Sequence, residues 1–315
     1  MSDEHPNEPS SPSPHPSPWY PPPPYGYAPA PAVHGPARGF GLAIAAGIVA
    51  LVLVIGVLSY AIGGYLIASN RIANAAAAIN AVDSQRTTIN SSFDTIQQVM
   101  SFDTPLTPSD AKAKTAEIVP RSQMLASTVA GDAPALHGTQ LHLNDMSWLT
   151  AFSRGSLQDE SGRLDHARKA VADVKNAAED YRLLGGFLQS YYQVFIDLYT
   201  LSTASQTNDS SGFAIALLML QSDLAISLEL DTMPYLPDAY RVQLTAIQAE
   251  INDIKQGLLA SDRGDQAGID AASKALDADI QRVNTVDYAG TAAAVRSHFQ
   301  QYRDIFNAEM DMATL

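Results

Sequence analysis

The sequence predicts an all-α protein: a single N-terminal transmembrane helix followed by an antiparallel, coiled-coil-like bundle of several helices. Three observations carry that expectation. An uncharged apolar run, FGLAIAAGIVALVLVIGVLSYAIGGYLIA, fills Phe40–Ala68 between Arg38 and Arg71. Beyond it, apolar residues recur at alternating spacings of three and four, the seam of helices that pack side by side. No stretch there keeps the period-two alternation of a half-buried strand. The chain divides into a tail over 1–38, a membrane helix over 39–69 and a soluble helical domain over 70–315.

The tail holds 13 of the 19 prolines. Proline fixes φ and removes a backbone donor, so disorder with a polyproline II bias is expected there. Pro22-Pro23-Pro24-Tyr25 fits a Pro-Pro-x-Tyr ligand pattern and Pro18 to Pro21 fits Pro-x-x-Pro. In a stretch this rich in proline both patterns arise from composition alone. Ser10, Ser11, Ser13 and Ser17 are acceptors for phosphate by residue type only.

A bilayer core about 30 Å thick needs about 20 apolar residues as helix, and the run from Phe40 to Ala68 exceeds that. A secretory signal has a shorter apolar region after a short basic start. Here an acidic tail precedes a longer run, so an uncleaved anchor is expected, although Ala73-Asn74-Ala75 fits a small-x-small cleavage pattern. Tyr60 and Tyr65 stand where interfacial aromatics belong. Ala43 and Gly47, then Ser59 and Gly63, repeat at spacing four, which lets helices approach closely. Basic residues near the anchor do not settle its orientation, with Arg38 before it and Arg71 and Arg86 after it. The Pro- and Tyr-rich leader, with its PPPPYGY run at 21–27, resembles the cytoplasmic tails of actinobacterial-type single-pass envelope proteins. That resemblance covers the tail alone, identifies no family, and implies tail inside and domain outside.

Past the anchor, Ile72, Ala75, Ile79, Val82, Ile89, Phe93, Ile96 and Met100 form a heptad seam in which Arg86 takes one place. No proline interrupts the passage from the anchor, so one continuous helix is expected. Ser101 to Leu106 should break it. Thr107 before Pro108 reads as an N-cap with proline in the first helical position. The next helix should carry Ile118, Ser122, Leu125 and Val129 on one face, with a kink or stop at Pro120. Gly131 to Gly138 reads as a loop, and Leu141–Phe152 as a short helix.

The longest seam runs through Leu164, Ala167, Val171, Val174, Ala178, Tyr181, Gly185, Leu188, Tyr192, Phe195 and Tyr199. Its other faces turn apolar after Tyr181, which marks a central helix. Gln189, Gln193 and Asp197 argue against a second span there. Gly185-Gly186 predicts either a kink or a close neighbour. Asn208 to Ser211 should cap a helix through Phe213 to about Leu230, and Pro234 and Pro237 mark a turn. Tyr240, Leu244, Ile247, Ile251, Ile254 and Leu258 form a further seam. After a tight connection at Ser261–Gly264, two last helices present Ile269, Leu276, Ile280 and Val283, then Val295, Phe299, Tyr302, Phe306 and Met310.

The formal charge is -14, of which -12 falls on residues 71–315. That sign repels phosphate backbones and points away from nucleic acid. There is no cysteine, hence no disulfide, thiolate metal site or cysteine nucleophile. His137, His142, His166 and His298 make no metal-ligand pair on one helix face, and no Glu-x-x-His is present. Acidic pairs at Asp159-Glu160, Glu179-Asp180 and Asp277/Asp279 lack a partner histidine at helical spacing, and Asp262, Gly264 and Asp265 lack the spacing of a calcium loop. Phosphate-binding and nucleophile-elbow glycine motifs are missing as well. Arg263-Gly264-Asp265 spells an integrin-type tripeptide that turn chemistry explains, and Asn90-Ser91-Ser92 and Asn208-Asp209-Ser210 are glycosylation sequons. Asp197, the carboxylate in the most apolar helix, is a candidate for a raised pKa.

No catalytic, cofactor-binding or metal-ligating residue is therefore nominated, and no enzyme is expected. The sequence leads to a membrane-anchored interaction protein or scaffold of the cell envelope, contacting a protein partner or a second copy and no nucleic acid. The alternative is a ligand-sensing bundle. The layout resembles the helical ligand domains of bacterial chemoreceptors and sensor kinases, without their second membrane helix or cytoplasmic signalling domain. A signal would then pass through the tail or a partner.

Overall fold

The apolar run and the first seam form one helix, α1 (Arg38–Met100), in a computed structural model of the chain. The structure describes residues 38–101, 106–145, 148, 150–284 and 288–315, with backbone alone for 38–48, 283–284 and 288–289. The proline-rich tail, the Ala43/Gly47 pair's side chains and that of Val283 lie outside the described residues. The rest of the described chain forms α2 (Pro108–Thr115), α3 (Ile118–Thr128), α4 (Asp132–Asn144), α5 (Arg154–Gln206), α6 (Ser210–Leu230), α7 (Asp238–Asp262), α8 (Gln266–Asn284) and α9 (Tyr288–Thr314). There is no strand among the described residues. The fold is an all-α multi-helix bundle.

α5 is the central helix: α2, α3, α4, α6 and α9 all lie on it, and α7 pairs with α8. Ala75, Ile79, Val82, Ile89, Phe93, Ile96 and Met100 of the first seam are buried, with Ile72 half-buried. Arg86, at its seam position, donates from Nε to Asn307 Oδ1 at 2.8 Å and pairs with Asp311 at 2.6 Å. Asn90 exchanges hydrogen bonds with Asn307, and Arg303 reaches Asp94 at 2.5 Å. These side chains fix α9 against α1, the role a polar group in a seam serves. In the centre Tyr181 stacks on Phe299 at 3.8 Å, an aromatic contact worth about 0.5–1.5 kcal/mol beyond its buried area.

Several local expectations hold. Thr107 caps α2 by accepting from the Asp110 N–H, with Pro108 at the first position. The stop expected near Pro120 falls at Ala116–Glu117, which puts Pro120 in the first turn of α3 where its missing N–H is harmless. Ile118, Ser122, Leu125 and Val129 are all buried. Asp209 caps α6 through the Gly212 N–H. Gly264 adopts φ +65° in the α7–α8 turn, and Asp265 caps α8 through the Gly268 N–H, so two members of the Arg-Gly-Asp triplet serve the turn.

Other expectations are corrected. The segment from Gly131 to Gly138 is helix from Asp132 on, because Pro134 falls within the first turn of α4 and Leu136 and Leu143, seven apart, both bury. The helix expected over Leu141–Phe152 stops at Asn144; a single 3-10 turn, Ala151–Ser153, precedes α5. On α5 the buried face leaves the 3.5-residue seam, so that Tyr199 is 73% exposed while Val194 and Leu201 are buried. A straight α-helix drifts about 20° per heptad from such a seam, about 100° over the five heptads from Leu164 to Tyr199. α8 also differs: Ala272 and Asp279 are buried against α7 while Ile280 is exposed. Gly185 resolves as a close approach. A Cβ there would meet Val119 Cγ2 at 2.9 Å, and α5 runs through without ending.

Candidate functional site

Three elements converge on Asp180. It lies on α5; His298 and Tyr302 lie one turn apart on α9, hence on one face of it; Tyr235 comes from the turn between α6 and α7. Asp180 Oδ2 accepts from His298 Nε2 at 3.0 Å and from the Tyr302 hydroxyl at 2.9 Å. The Tyr235 hydroxyl donates to the Asp180 carbonyl at 2.8 Å, and its ring stacks on the His298 imidazole at 4.3 Å. With Leu183, Met233 and Pro234 these groups line an open cleft of about 500 Å³. Burial, and then the Asp180 carboxylate beside it, push the Tyr302 phenol up to about 12. Burial and the same charge raise Tyr235.

The carboxylate orients the imidazole with its proton on Nε2, as carboxylates do for catalytic and metal-bound histidines. The cleft lining contains neither serine, threonine nor lysine. What the arrangement offers is polar recognition: two phenols and an imidazole held in fixed orientation. Among the described residues no group of three His, Asp or Glu gathers as metal ligands.

A second cavity, of about 240 Å³, is aromatic. Tyr191, Tyr192 and Phe195 of α5 and Tyr240 of α7 line it, with Leu106, Pro108, Thr291 and Ala292. The rings meet edge to face: Tyr191 and Tyr240 centroids lie 5.1 Å apart, Tyr191 and Phe195 5.0 Å. The Tyr191 hydroxyl donates to Gln243 Oε1, which holds its ring upright.

Asp197 is buried on α5, accepting from Gln193 Nε2 at 2.7 Å, while Lys112 donates to Gln193 Oε1. Burial, followed by a hydrogen bond with Asp223 of α6, raises its pKa. Glu250 of α7 lies buried near Asp279 of α8, which pairs with Arg282 at 2.8 Å. Burial, then the Asp279 charge, push Glu250 up to about 7. His166 bonds Glu309 at 2.6 Å, and His137 and His142 are exposed on α4 rather than in a loop. Of the sequons, Asn90 is engaged with Asn307 and Arg303, whereas Asn208 is exposed at a turn.

Sequence reasoning noted Asp180 and His298 separately and did not join them. They lie 118 residues apart. The signal present was the His298/Tyr302 pair at helical spacing, but only the packing of α9 on α5 brings Asp180 to it.

α6 carries an anomalous surface. Its inner face, Ala216, Leu217, Leu220 and Leu224, is buried on α5. Its outer face presents Ala214, Ile215, Leu218, Met219, Ala225 and Ile226 to the outside, with Leu218 67% exposed. Apolar on both faces, α6 reaches a mean hydropathy of 1.7; α1 from Val49 reaches 2.2, and both are long and apolar enough to cross a membrane.

Fold and surface together define the class: a helical bundle whose N-terminal helix is a candidate membrane span. Compared with protein-family models, with curated proteins and with solved structures, the chain matches none.

Proposed function

We propose that this chain is a single-pass, membrane-anchored helical-bundle protein of the cell envelope, a non-catalytic scaffold that works by contact with another protein chain. The tail is assigned to the cytoplasm and the domain to the outside. The outer face of α6 carries the reading. A helix apolar on two faces belongs in a core or a membrane, and contiguous exposed apolar stripes mark interaction surfaces. Its neighbour α5 carries Gln189, Gln193 and Asp197, which favours a protein partner on α6 over a second crossing.

The test is site-specific photo-crosslinking in intact cells carrying the full chain. A photoreactive residue at Leu218 should yield a discrete adduct that M219K abolishes, while one at the exposed Lys274 of α8 yields none. Equal labelling from both positions would overturn the reading.

A second reading, a ligand-sensing bundle signalling through a partner, rests on the aromatic cavity. Small apolar or cationic ligands suit four aromatic rings. Its mark would be a compound that raises the melting temperature of the full chain and loses that effect in Y240A.

A further inference from the structure

α1 changes character at Tyr60. Every residue from Val49 to Ser59 is exposed. From Tyr60 onward one face is covered: Tyr60 and Ala61 are half-buried, then Gly64, Ala68 and Ala75 are buried. Two rings from between α4 and α5 meet Tyr60. Trp148 stacks on its ring at 6.2 Å and 21°, and Phe152 meets it edge-on at 6.0 Å and 72°. Yet these two rings are themselves 64% and 70% exposed. Arg71, three turns along α1, donates to the Asp145 carbonyl and ties the same connection to the helix.

The position of Tyr60 has a length attached to it. Twenty residues of α-helix, Phe40 to Ser59, rise about 30 Å, the thickness of the hydrocarbon core. With Phe40 set at one edge of that core, the covered face begins at the other edge, at the level Trp and Tyr rings prefer. A soluble bundle gains nothing by leaving two large rings bare beside an exposed apolar helix. A bilayer that takes α1 also reaches whatever touches Tyr60. The groove beside Trp148, about 440 Å³, is edged by Asn144, Thr150, Arg154 and Gln158, so polar groups lie next to the rings as headgroups require.

We infer that Trp148 and Phe152, between α4 and α5, form a second membrane contact and sit in the interfacial layer of the bilayer beside Tyr60. This contact sets the height of the bundle above the membrane. It rests on the reading of α1 as a membrane helix, and the experiment separates the two. The chain has two tryptophans, Trp19 in the tail and Trp148. In W19F, reconstituted as the full chain in phosphatidylcholine vesicles, Trp148 is the single reporter. Its emission should be blue-shifted, and lipids labelled near the headgroup should quench it more than lipids labelled deep in the acyl chains. In W19F/W148F/V52W the order should reverse, since Val52 lies mid-run. If V52W is quenched by deep labels while Trp148 emits as in water and yields to aqueous iodide, the interfacial contact is refuted and the anchor stands. If V52W escapes the deep labels, the anchor reading fails and takes this contact with it.

Discussion

Gly185 and Gly186 give the fold a paired test, because two adjacent residues of one helix meet opposite surroundings. A Cβ on Gly185 would stand 2.9 Å from Val119 Cγ2 and 3.1 and 3.2 Å from atoms of Ile118, while one on Gly186 meets nothing within 4 Å. Ile118 is fully buried and has no room to swing aside. Each Gly→Ala change gains about 1 kcal/mol of helix propensity. That gain is common to both, so the variants differ by the overpacking cost at Gly185, about 1–3 kcal/mol. For a domain of this size 1 kcal/mol moves the melting temperature by about 2–4 °C. G186A should melt above the parent, and G185A should melt below G186A by about 2–12 °C. The assay is thermal unfolding of the full chain in detergent, followed by helical circular dichroism at one scan rate. Coincident melts of G185A and G186A would mean that α3 does not press on α5 at Gly185.

Polar groups packed between helices give two further predictions. Glu250 releases its proton at about 7 in the fold against 4.5 ordinarily, so across that interval the folded state holds more protons than the unfolded one. Stability should therefore fall as pH rises from 4.5 through 7, and E250Q should flatten that fall while leaving acid stability unchanged; parallel melting-temperature profiles would exclude the assignment. Arg86→Met removes the donors to Asn307 and the Asp311 pair. It should cost about 1–3 kcal/mol and couple to N307A in a double-mutant cycle of denaturant unfolding, whereas strictly additive losses would show that α9 is not registered on α1 through these groups.

The fold was legible wherever a pattern repeats. Apolar spacing in the stretches through Ile79 to Met100, Leu164 to Leu188 and Val295 to Met310 named buried residues correctly apart from the half-buried Tyr302, because a helix shows its packed face at a fixed period. Caps were legible for a similar reason: Thr107 and Asp209 act within three residues of themselves. Legibility failed where the local signal was weak or averaged. Gly131 to Gly138 contains a proline and two glycines, yet burial of Leu136 outweighs their cost. Tyr199 kept the seam in sequence and lost it in space as the straight helix drifted.

By itself, then, the sequence determined the long apolar N-terminal segment, the helical class and most of the core, since these follow from residue type and period along the chain. The tertiary structure alone decided that Asp180 meets His298, that Arg86 answers Asn307, that Glu250 lies near Asp279, and that Trp148 covers Tyr60. Each of these joins residues on different helices. No local pattern encodes such a meeting, because which face of one helix receives another depends on how the whole set of seams is buried at once.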